Sequence, residues 1–172
     1  GKLLGFEHAM KSGIGTCGIQ VGDLQVAAIV AVNACGNVVD YETNELLAGV
    51  YDSHSGSVLK AQDVLFQQMD ALRKLPEGNT TIGCIVTNAK LDKAQCTKIA
   101  GIAHNGYARA IHPVHTMSDG DSIFVLSSGE VEVMADAVGM LATEMMAKAI
   151  KRAVLHAESA YGLPAHSDVI CK

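Results

Sequence analysis

The sequence of 172 residues contains no tryptophan, and aromatic residues make up only 4% of it. Proteins that bind nucleic acid bases or sugars by stacking need such side chains, so this scarcity disfavours a stacking surface. Basic residues are also few, because 13 Lys and Arg stand against 18 Asp and Glu and give a formal net charge of -5. They form no cluster, and we therefore expect neither nucleic acid nor an anionic membrane as the main partner.

Long apolar runs and paired cysteines are missing as well. The longest apolar run, from Val26 to Val32, is far shorter than the roughly 20 residues that a membrane-spanning helix needs. No signal peptide is recognisable. The five cysteines stand singly, without a CxxC pair, which is typical of reduced thiols. We therefore expect a cytoplasmic protein that does not enter a membrane.

The composition that remains, with 49% hydrophobic and 18% charged residues, is typical of a compact globular chain. One domain, residues 1–172, is expected at this length. The run 24–34 predicts a strand buried on both faces, and residues 43–57 predict a loop. The other predicted strands are 13–22, 36–40, 81–87 and 122–127, and the predicted helices are 58–75, 92–110 and 130–159. This alternation indicates a layered α/β fold in which helices cover a sheet.

The segment GIGTCG, residues 13–18, matches the GxGxxG pattern of dinucleotide-binding loops. That pattern binds phosphate when a strand precedes it and a helix follows it, because the phosphate then meets the helix N-terminus. Here the residues that follow are strand-like. We therefore favour tight turns over nucleotide binding as the reason for these glycines.

The segment HPVHTMSDGD brings two histidines and two aspartates within ten residues. His112, His115, Asp119 and Asp121 could bind zinc or another divalent cation. Pro113, however, rules out a regular helical i, i+4 pairing of ligands, so a loop with two hydrogen-bonded histidines is the favoured interpretation. For the two aspartates, which precede a predicted strand, capping and turn formation are the default roles.

The tripeptide Asn79-Thr80-Thr81 stands between a turn-prone polar run and a strand-like apolar run. A threonine hydroxyl is a weak nucleophile until a base lies beside it. If the Asn79–Thr80 bond is cut, Thr80 gains an α-amine with an ordinary pKa of roughly 7.7 to 8.0, so one residue supplies nucleophile and base. The hydroxyl could cut that bond itself by an N-to-O acyl shift in a strained turn at Gly78-Asn79. The residues alone favour a plain loop-to-strand junction, because an Asn-Thr-Thr tripeptide by itself is a weak signal.

Four blocks of the sequence, in the same order and with comparable spacing, resemble the L-aminopeptidase/D-esterase (DmpA-like) family of self-processing peptidases. This family includes β-peptidyl aminopeptidases and the nylon-oligomer hydrolase. The blocks are GKLLGFEHAMKSGIGT, VAAIVAVNACGNVVD, NTTIGCIVTNAKLDKAQ and AHNGYARAIHPVHTMSDGDSIFVLSSG. The resemblance implies an αββα four-layer sandwich like that of N-terminal nucleophile hydrolases, with different connectivity. It also implies a homo-oligomer, a tetramer by family resemblance, and no metal or organic cofactor.

Family precursors carry a further stretch ahead of the segment that begins here at Gly1. It includes strands of the sheet and a tyrosine near the substrate. The resemblance therefore predicts that part of the family's N-terminal fold lies outside these residues.

The resemblance also implies roles for single residues. Thr80 matches the nucleophile and Asn79–Thr80 the bond that is cut, which would yield pieces 1–79 and 80–172. The function predicted on this basis is that of an N-terminal threonine hydrolase, an aminopeptidase or amidase. It would cleave small peptides or amides through an acyl-enzyme on Thr80.

The remaining matches surround this threonine. Asn33 matches the asparagine that helps to hold the oxyanion, and such a donor can be worth about 3 to 4 kcal/mol. Asp119 and Asp121 match a pair of polar or acidic residues that orient the nucleophile and the substrate amine. Lys2 matches a lysine near the nucleophile.

Three alternatives stay open. The chain could be an acyltransferase of the ornithine acetyltransferase type, in which an amine takes the acyl group. It could be an unprocessed, non-catalytic homologue or fragment. It could also be a divalent-metal hydrolase that uses the two histidines and two aspartates named above.

Overall fold

The structure, a computed structural model, describes residues 1–67 and 78–170, and these ranges contain nine strands and four α-helices. A short 3₁₀ helix, Phe6–His8, precedes them. The strands are β1 Ile14–Val21, β2 Leu24–Ala31, β3 Asn37–Val39, β4 Leu46–Ala48, β5 Val50–Asp52, β6 Ser57–Leu59, β7 Ile82–Ala89, β8 Ile111–His112 and β9 Ser122–Val131. The helices are α1 Ala61–Gln67, α2 Lys93–Ala110, α3 Ala135–Leu155 and α4 His166–Val169.

The main sheet has the strand order β1-β2-β7-β9. Strands β1 and β2 form a hairpin, since Val21 pairs with Leu24 across a turn in which Gly22 has a φ of 59°. Strand β2 pairs antiparallel with β7, and β7 pairs parallel with β9. Parallel neighbours need a crossover, and α2 supplies it. In the described ranges, two small antiparallel sheets, β4-β3-β8 and β5-β6, flank this unit.

Helices α2 and α3 pack against each other and cover one face of the main sheet, with α3 over β1 and β2. The side chains between them form the hydrophobic core, with Val30, Ile85, Tyr107 and Ile150 at 0% exposure. Helix α2 begins where the sequence predicts it, because Asp92 and Gln95 form a capping box. Helix α3 begins five residues later than predicted, since β9 continues to Val131 before the chain turns.

The opposite face of the main sheet is apolar and exposed. The prediction that residues 24–34 are buried on both faces is wrong, because Ile29 in β2 is 45% exposed. The same face carries Ile82, Phe124 and Leu126, each at least half exposed. The α/β fold class is confirmed. The described residues supply a helical layer and a sheet layer, and in the expected αββα sandwich a second sheet would stack on this apolar face.

Other predictions need correction. Residues 43–57 are not one loop, because they contain β4, β5 and the first residue of β6. The predicted helix 58–75 begins only at Ala61, and its part from residue 68 to 75 lies outside the described residues. The GxGxxG segment lies mainly in β1, so turns do not explain it. A Cβ on Gly15 would lie 2.0 Å from the carbonyl oxygen of Ala149, so this glycine allows the close approach of α3.

None of the helices in the described ranges combines the length and the apolar character that crossing a bilayer requires. The cysteines in these ranges are all free thiols, namely Cys17, Cys35, Cys84 and Cys96.

Candidate active site

Three strand ends meet at one edge of the main sheet. Because β2 runs antiparallel to β7, its last residue Ala31 lies opposite Ile82, the first residue of β7. Because β7 and β9 run parallel, Ile82 lies opposite Ser122, the first residue of β9. The segments next to these ends therefore come together: Asn33 after β2, Asn79–Thr81 before β7, and Asp119–Asp121 before β9.

The peptide bond between Asn79 and Thr80 is held from both sides. Asn79 is 1% exposed and forms a parallel bridge with Asp119. Its carbonyl oxygen accepts a hydrogen bond of 2.9 Å from the backbone N–H of Gly120. The backbone N–H of Thr80 donates to the carbonyl oxygen of Asn33 over 3.1 Å. The position of the bond is therefore fixed by backbone groups of two neighbouring strand ends.

Only one of the two threonines presents its hydroxyl to this bond. Thr80 is half-buried, and its Oγ1 donates to the carbonyl oxygen of Asn79 over 2.5 Å. Thr81 is fully buried, and its Oγ1 has no hydrogen-bond partner among the described residues. A Cβ on Gly120 would lie 2.9 Å from the Thr80 hydroxyl oxygen, so the missing side chain there makes room for it. The geometry singles out Thr80 as the hydroxyl nearest to the bond.

Lys2 and Asn33 lie on the other side of the same segment. The ammonium of Lys2, which is 7% exposed, donates to the side-chain oxygen of Asn33 over 2.7 Å. The amide nitrogen of Asn33 donates to the carbonyl oxygen of Gly78 over 2.9 Å, and Lys2 lies 3.4 Å from that oxygen. Burial lowers the pKa of Lys2, while the negative charge of Asp119 works in the opposite direction. The amide of Asn33 is thereby held in one orientation.

The carboxylates of the two aspartates have different partners, and only that of Asp121 reaches the Asn79–Thr81 segment. The Oδ2 atom of Asp119 accepts hydrogen bonds from the backbone N–H and the hydroxyl of Thr116, each 2.8 Å long. The Oδ1 atom of Asp121 accepts from the backbone N–H of Thr81 over 2.9 Å. With the chain uncut, Asp119 therefore closes a turn, and Asp121 holds the residue that follows Thr80.

The histidines named in the metal hypothesis point to separate partners. The Nε2 atom of His112 lies 3.1 Å from the carbonyl oxygen of Ala108, whereas the Nδ1 atom of His115 lies 2.9 Å from Asp121. In residues 1–67 and 78–170, no group of three or more His, Cys, Asp or Glu side chains is arranged to hold a metal ion. The structure thus does not bring His112, His115, Asp119 and Asp121 together as one ligand set.

The cavity beside Lys2 and Asn33 is small. It holds about 30 Å³ and is lined also by Ser12, Val32 and Gly36. That volume suits about one water molecule. A larger open depression of about 760 Å³ lies on the apolar sheet face and includes Val86 and Leu126. Neither of these two spaces is a closed pocket for a peptide beside Thr80.

Two features of this edge were not predicted from the sequence. The N–H of Gly120 is a backbone group, and no residue type marks its direction. The contact between His115 and Asp121 is not evident from the sequence, because the pattern predicts metal ligands or turn-forming residues at these positions and not an ion pair. The one available signal was the spacing of the Asp-Gly-Asp unit, which places a backbone N–H between two carboxylates at the start of a strand.

Comparison with known proteins gives a family match over most of the chain. The model of peptidase family S58 matches residues 6–167. A protein of Mycobacterium bovis named as an uncharacterized aminopeptidase is 37% identical over 186 residues, covering 94% of this chain and 53% of that protein. A 6-aminohexanoate-oligomer endohydrolase of Paenarthrobacter ureafaciens is 30% identical over 159 residues, covering 83% of this chain and 44% of the enzyme.

A solved structure agrees with these matches at the level of the fold. The L-aminopeptidase D-Ala-esterase/amidase from Ochrobactrum anthropi, described as a variant of the Ntn hydrolase fold, superposes with a TM-score of 0.61 at 17% identity. The match covers 95% of this chain and 48% of that chain. The present chain thus spans about half the length of the relatives that it matches.

Proposed function

The chain belongs to peptidase family S58, and from this premise we propose that it is a self-processing hydrolase whose nucleophile is Thr80. It would cut its own Asn79–Thr80 bond and then hydrolyse amide bonds of small peptides or amides. The observation that carries the proposal is the position of the Thr80 hydroxyl, 2.5 Å from the carbonyl oxygen of the bond to be cut.

The proposed self-processing step begins with attack of the Thr80 Oγ1 atom on the carbonyl carbon of Asn79. Negative charge then develops on the Asn79 oxygen, which already accepts the N–H of Gly120 over 2.9 Å. A preorganised donor of this kind stabilises an oxyanion without reorganisation. The hydroxyl proton passes to the departing nitrogen of Thr80, and the bond becomes an ester. Water hydrolyses the ester and leaves Asn79 as a carboxylate and Thr80 as a new chain end.

In the cut protein, Thr80 would carry both the hydroxyl and the α-amine that serves as its base. Departure of the new chain end Gly78-Asn79 would free the N–H of Gly120 and the amide of Asn33 to bind the oxygen of a substrate carbonyl. An acyl-enzyme ester would form on Thr80, and water would release the acid. Gly120 is the backbone donor that this scheme requires beside Asn33.

The charged residues would set the charge of the new amine. Asp119 and Asp121 are close enough to Thr80 to favour the protonated form of its new α-amine. The same negative charges would also help to bind the cationic amine of a substrate. Lys2 would oppose them. Burial already lowers the pKa of Lys2, so the cost of two neighbouring cations would be reduced. We propose that Lys2 mainly orients the amide of Asn33.

The substrate class rests on the relatives. Their names describe aminopeptidases and an endohydrolase of 6-aminohexanoate oligomers, so amides of amino acids are the proposed substrates. Assembly as a homo-oligomer and residence in the cytoplasm stay predictions. Light scattering on the purified protein would measure the first of these.

Denaturing mass spectrometry of the purified chain tests the proposal. Wild-type protein should appear as two pieces, 1–79 and 80–172, whereas Thr80→Ala should stay whole. Thr81→Val is the matched control, because it removes the neighbouring hydroxyl with little change of shape and should still be cut. An uncut wild-type chain would favour the unprocessed homologue. If turnover of an aminoacyl anilide requires an added amine acceptor, the acyltransferase alternative would be favoured.

A further inference from the structure

His115 lies in the loop before β9, and its ring contacts a buried carboxylate. The Nδ1 atom of His115 is 2.9 Å from the Oδ2 atom of Asp121, whose side chain is 5% exposed. Within the described residues, no hydrogen bond reaches this oxygen, so the close approach of His115 is an ion pair and its one charged contact there. Loss of the imidazole would therefore leave a buried, charged oxygen unpaired, which is unfavourable.

The other oxygen of the same carboxylate holds the strand start. The Oδ1 atom of Asp121 accepts from the N–H of Thr81 over 2.9 Å. The carbonyl oxygen of Thr81 accepts from the N–H of Ser122 over 3.0 Å and from the hydroxyl of Tyr107 over 3.3 Å. The backbone of Thr81 is thus tied on both sides, and Thr80 is its covalent neighbour. A rotation of Asp121 would remove the hydrogen bond to the N–H of Thr81, the residue that follows Thr80.

The ring of His115 is itself fixed by α2. It stacks on Tyr107 with a centroid distance of 6.0 Å and meets the edge of His104 at 4.9 Å. The backbone of His115 has a φ of 57°, a conformation that histidine, asparagine and glycine adopt more readily than most residues. Both the backbone and the ring contacts therefore hold Nδ1 close to Asp121.

The ionisable groups that face this ring are His104 and Tyr107 from α2 and Asp121 from the loop before β9. Burial, and next the proximity of His115, lowers the pKa of His104, while Asp121 acts in the opposite direction. Burial and then the charge of Asp121 raise the pKa of Tyr107, so its hydroxyl keeps its proton and remains a donor. Of the groups in this cluster, His115 is the one with a ring nitrogen in ion-pair contact with Asp121, at 2.9 Å.

We propose that His115 is a positioning residue for the reaction at Thr80. Its Nδ1 atom, 2.9 Å from Oδ2 of Asp121, pairs with the carboxylate and keeps it in the rotamer that binds the N–H of Thr81. It thereby holds the Thr80 hydroxyl against its target carbonyl. This role rests on the proposed function of Thr80. The proposal gives the second histidine of the HPVHT segment, His115, the role of orienting the nucleophile.

Three substitutions separate the donor from the ring. His115→Asn keeps a donor at the position of Nδ1 and tolerates the positive φ, but it removes the ring. His115→Phe keeps the ring and removes the donor. His115→Gly removes both without backbone strain, and it replaces the phenylalanine variant should that variant fail to fold. Thermal melting identifies the folded variants.

The rate of self-cleavage, followed by denaturing mass spectrometry after cell-free synthesis, is the first readout. We expect His115→Asn to stay within about 3-fold of wild type and His115→Phe or His115→Gly to be slower by about 10-fold or more, because small misplacements of reacting groups are costly. Equal rates for wild type and the donor-free variants would overturn the proposal. So would an asparagine variant as slow as the glycine variant.

Amide hydrogen exchange in a Thr80→Ala background, where the chain stays whole, is the second readout and needs no catalysis. The exchange of the Thr81 amide, relative to that of Ile85 in the same strand, reports the hydrogen bond to Asp121. His115→Gly should speed it by about 10-fold, and His115→Asn should not. Unchanged exchange in all variants contradicts the positioning role. An uncut wild-type chain would instead refute the proposed function, and exchange alone would then decide on His115.

Discussion

The ammonium nitrogen of Lys2 lies 2.7 Å from the side-chain oxygen of Asn33. Since an amide has its donor and its acceptor on opposite arms, binding the oxygen dictates where the NH₂ group points. That group donates to the carbonyl oxygen of Gly78, one residue before the Asn79–Thr80 bond. The buried ammonium of Lys2 therefore selects one of the two orientations of the Asn33 side-chain amide, which is proposed to bind the oxyanion.

Lys2→Met should weaken catalysis more than folding. The variant keeps an aliphatic chain of similar length but lets the amide of Asn33 rotate, so we expect kcat/KM on an aminoacyl anilide to fall by up to about 100-fold. Lys11→Met is the control, because the ammonium of Lys11 lies over the ring of Tyr161 and away from the junction. Equal kcat/KM values for wild type and Lys2→Met would show that Asn33 needs no cationic partner.

Gly120→Ala should slow self-cleavage by about 100-fold or more. The added methyl group would lie 2.9 Å from the Oγ1 atom of Thr80 and would push the hydroxyl away from the Asn79 carbonyl. Time-resolved mass spectrometry measures the rate. Gly101→Ala in α2 is the matched control, since a Cβ there meets nothing within 4 Å and should stabilise the helix by about 0.5 to 1 kcal/mol. Normal cleavage by Gly120→Ala would argue against the proposed attack geometry.

Asp40→Asn should destabilise the protein in a pH-dependent way. The Asp40 carboxylate follows β3 and lies 2.5 Å from the ammonium of Lys151 in α3, and this hydrogen bond lowers the pKa of Asp40 below 3.8. The stabilisation is therefore present above pH 3.8 and is lost as the pH falls through the pKa of the folded state. Chemical denaturation at pH 7 should show a loss of about 1 to 2 kcal/mol.

The difference between wild type and Asp40→Asn should shrink as the pH is lowered below 3.8. Glu42→Gln serves as the control, because Glu42 is 3.6 Å from the same ammonium but 54% exposed. Exposed pairs contribute little, so a change below about 0.5 kcal/mol is expected. If the loss of unfolding free energy in Asp40→Asn does not depend on pH, shape and not charge stabilises this contact.

Gly15→Ala should reduce stability by about 3 kcal/mol or more, because a Cβ 2.0 Å from the Ala149 carbonyl oxygen forces β1 and α3 apart. Gly18→Ala in the same strand is the comparison, since its Cβ would only touch the Cβ of Ala27 at 3.3 Å. Urea denaturation of both variants measures the difference. Similar midpoints would indicate that α3 can move at no cost.

The sequence predicted the long elements well, for physical reasons that can be named. Strand β2 begins where the apolar run after Asp23 begins. Helix α2 begins directly after Asp92, which forms the capping box with Gln95. Both signals are local in the sequence. The three-residue strands β4 and β5 are too short to show periodicity, so their residues predict a loop. The exposure of Ile29 depends on what covers the sheet, and a strand's own residues do not encode that.

The candidate site was predictable as a set of residues but not as a set of contacts. Family resemblance marked Lys2, Asn33, Thr80, Asp119 and Asp121, and the structure brings all five to one sheet edge. Their catalytic roles stay predictions.

The contacts themselves join backbone groups far apart in the chain. Examples are the N–H of Gly120 with the carbonyl of Asn79, and the N–H of Thr80 with the carbonyl of Asn33. Side-chain identity carries no information about such bonds.

The antiparallel pairing of β2 with β7 has a consequence for a protein cut at residue 79. The scission would assign β1 and β2 to one polypeptide and β7, β9, α2 and α3 to the other, yet six residue pairs from Val26–Thr87 to Ala31–Ile82 would still bridge them. Each product would hold only half of a shared hydrophobic interior. The two products of this chain would then form an obligate heterodimer. After denaturation they would have to associate again in a bimolecular, concentration-dependent reaction.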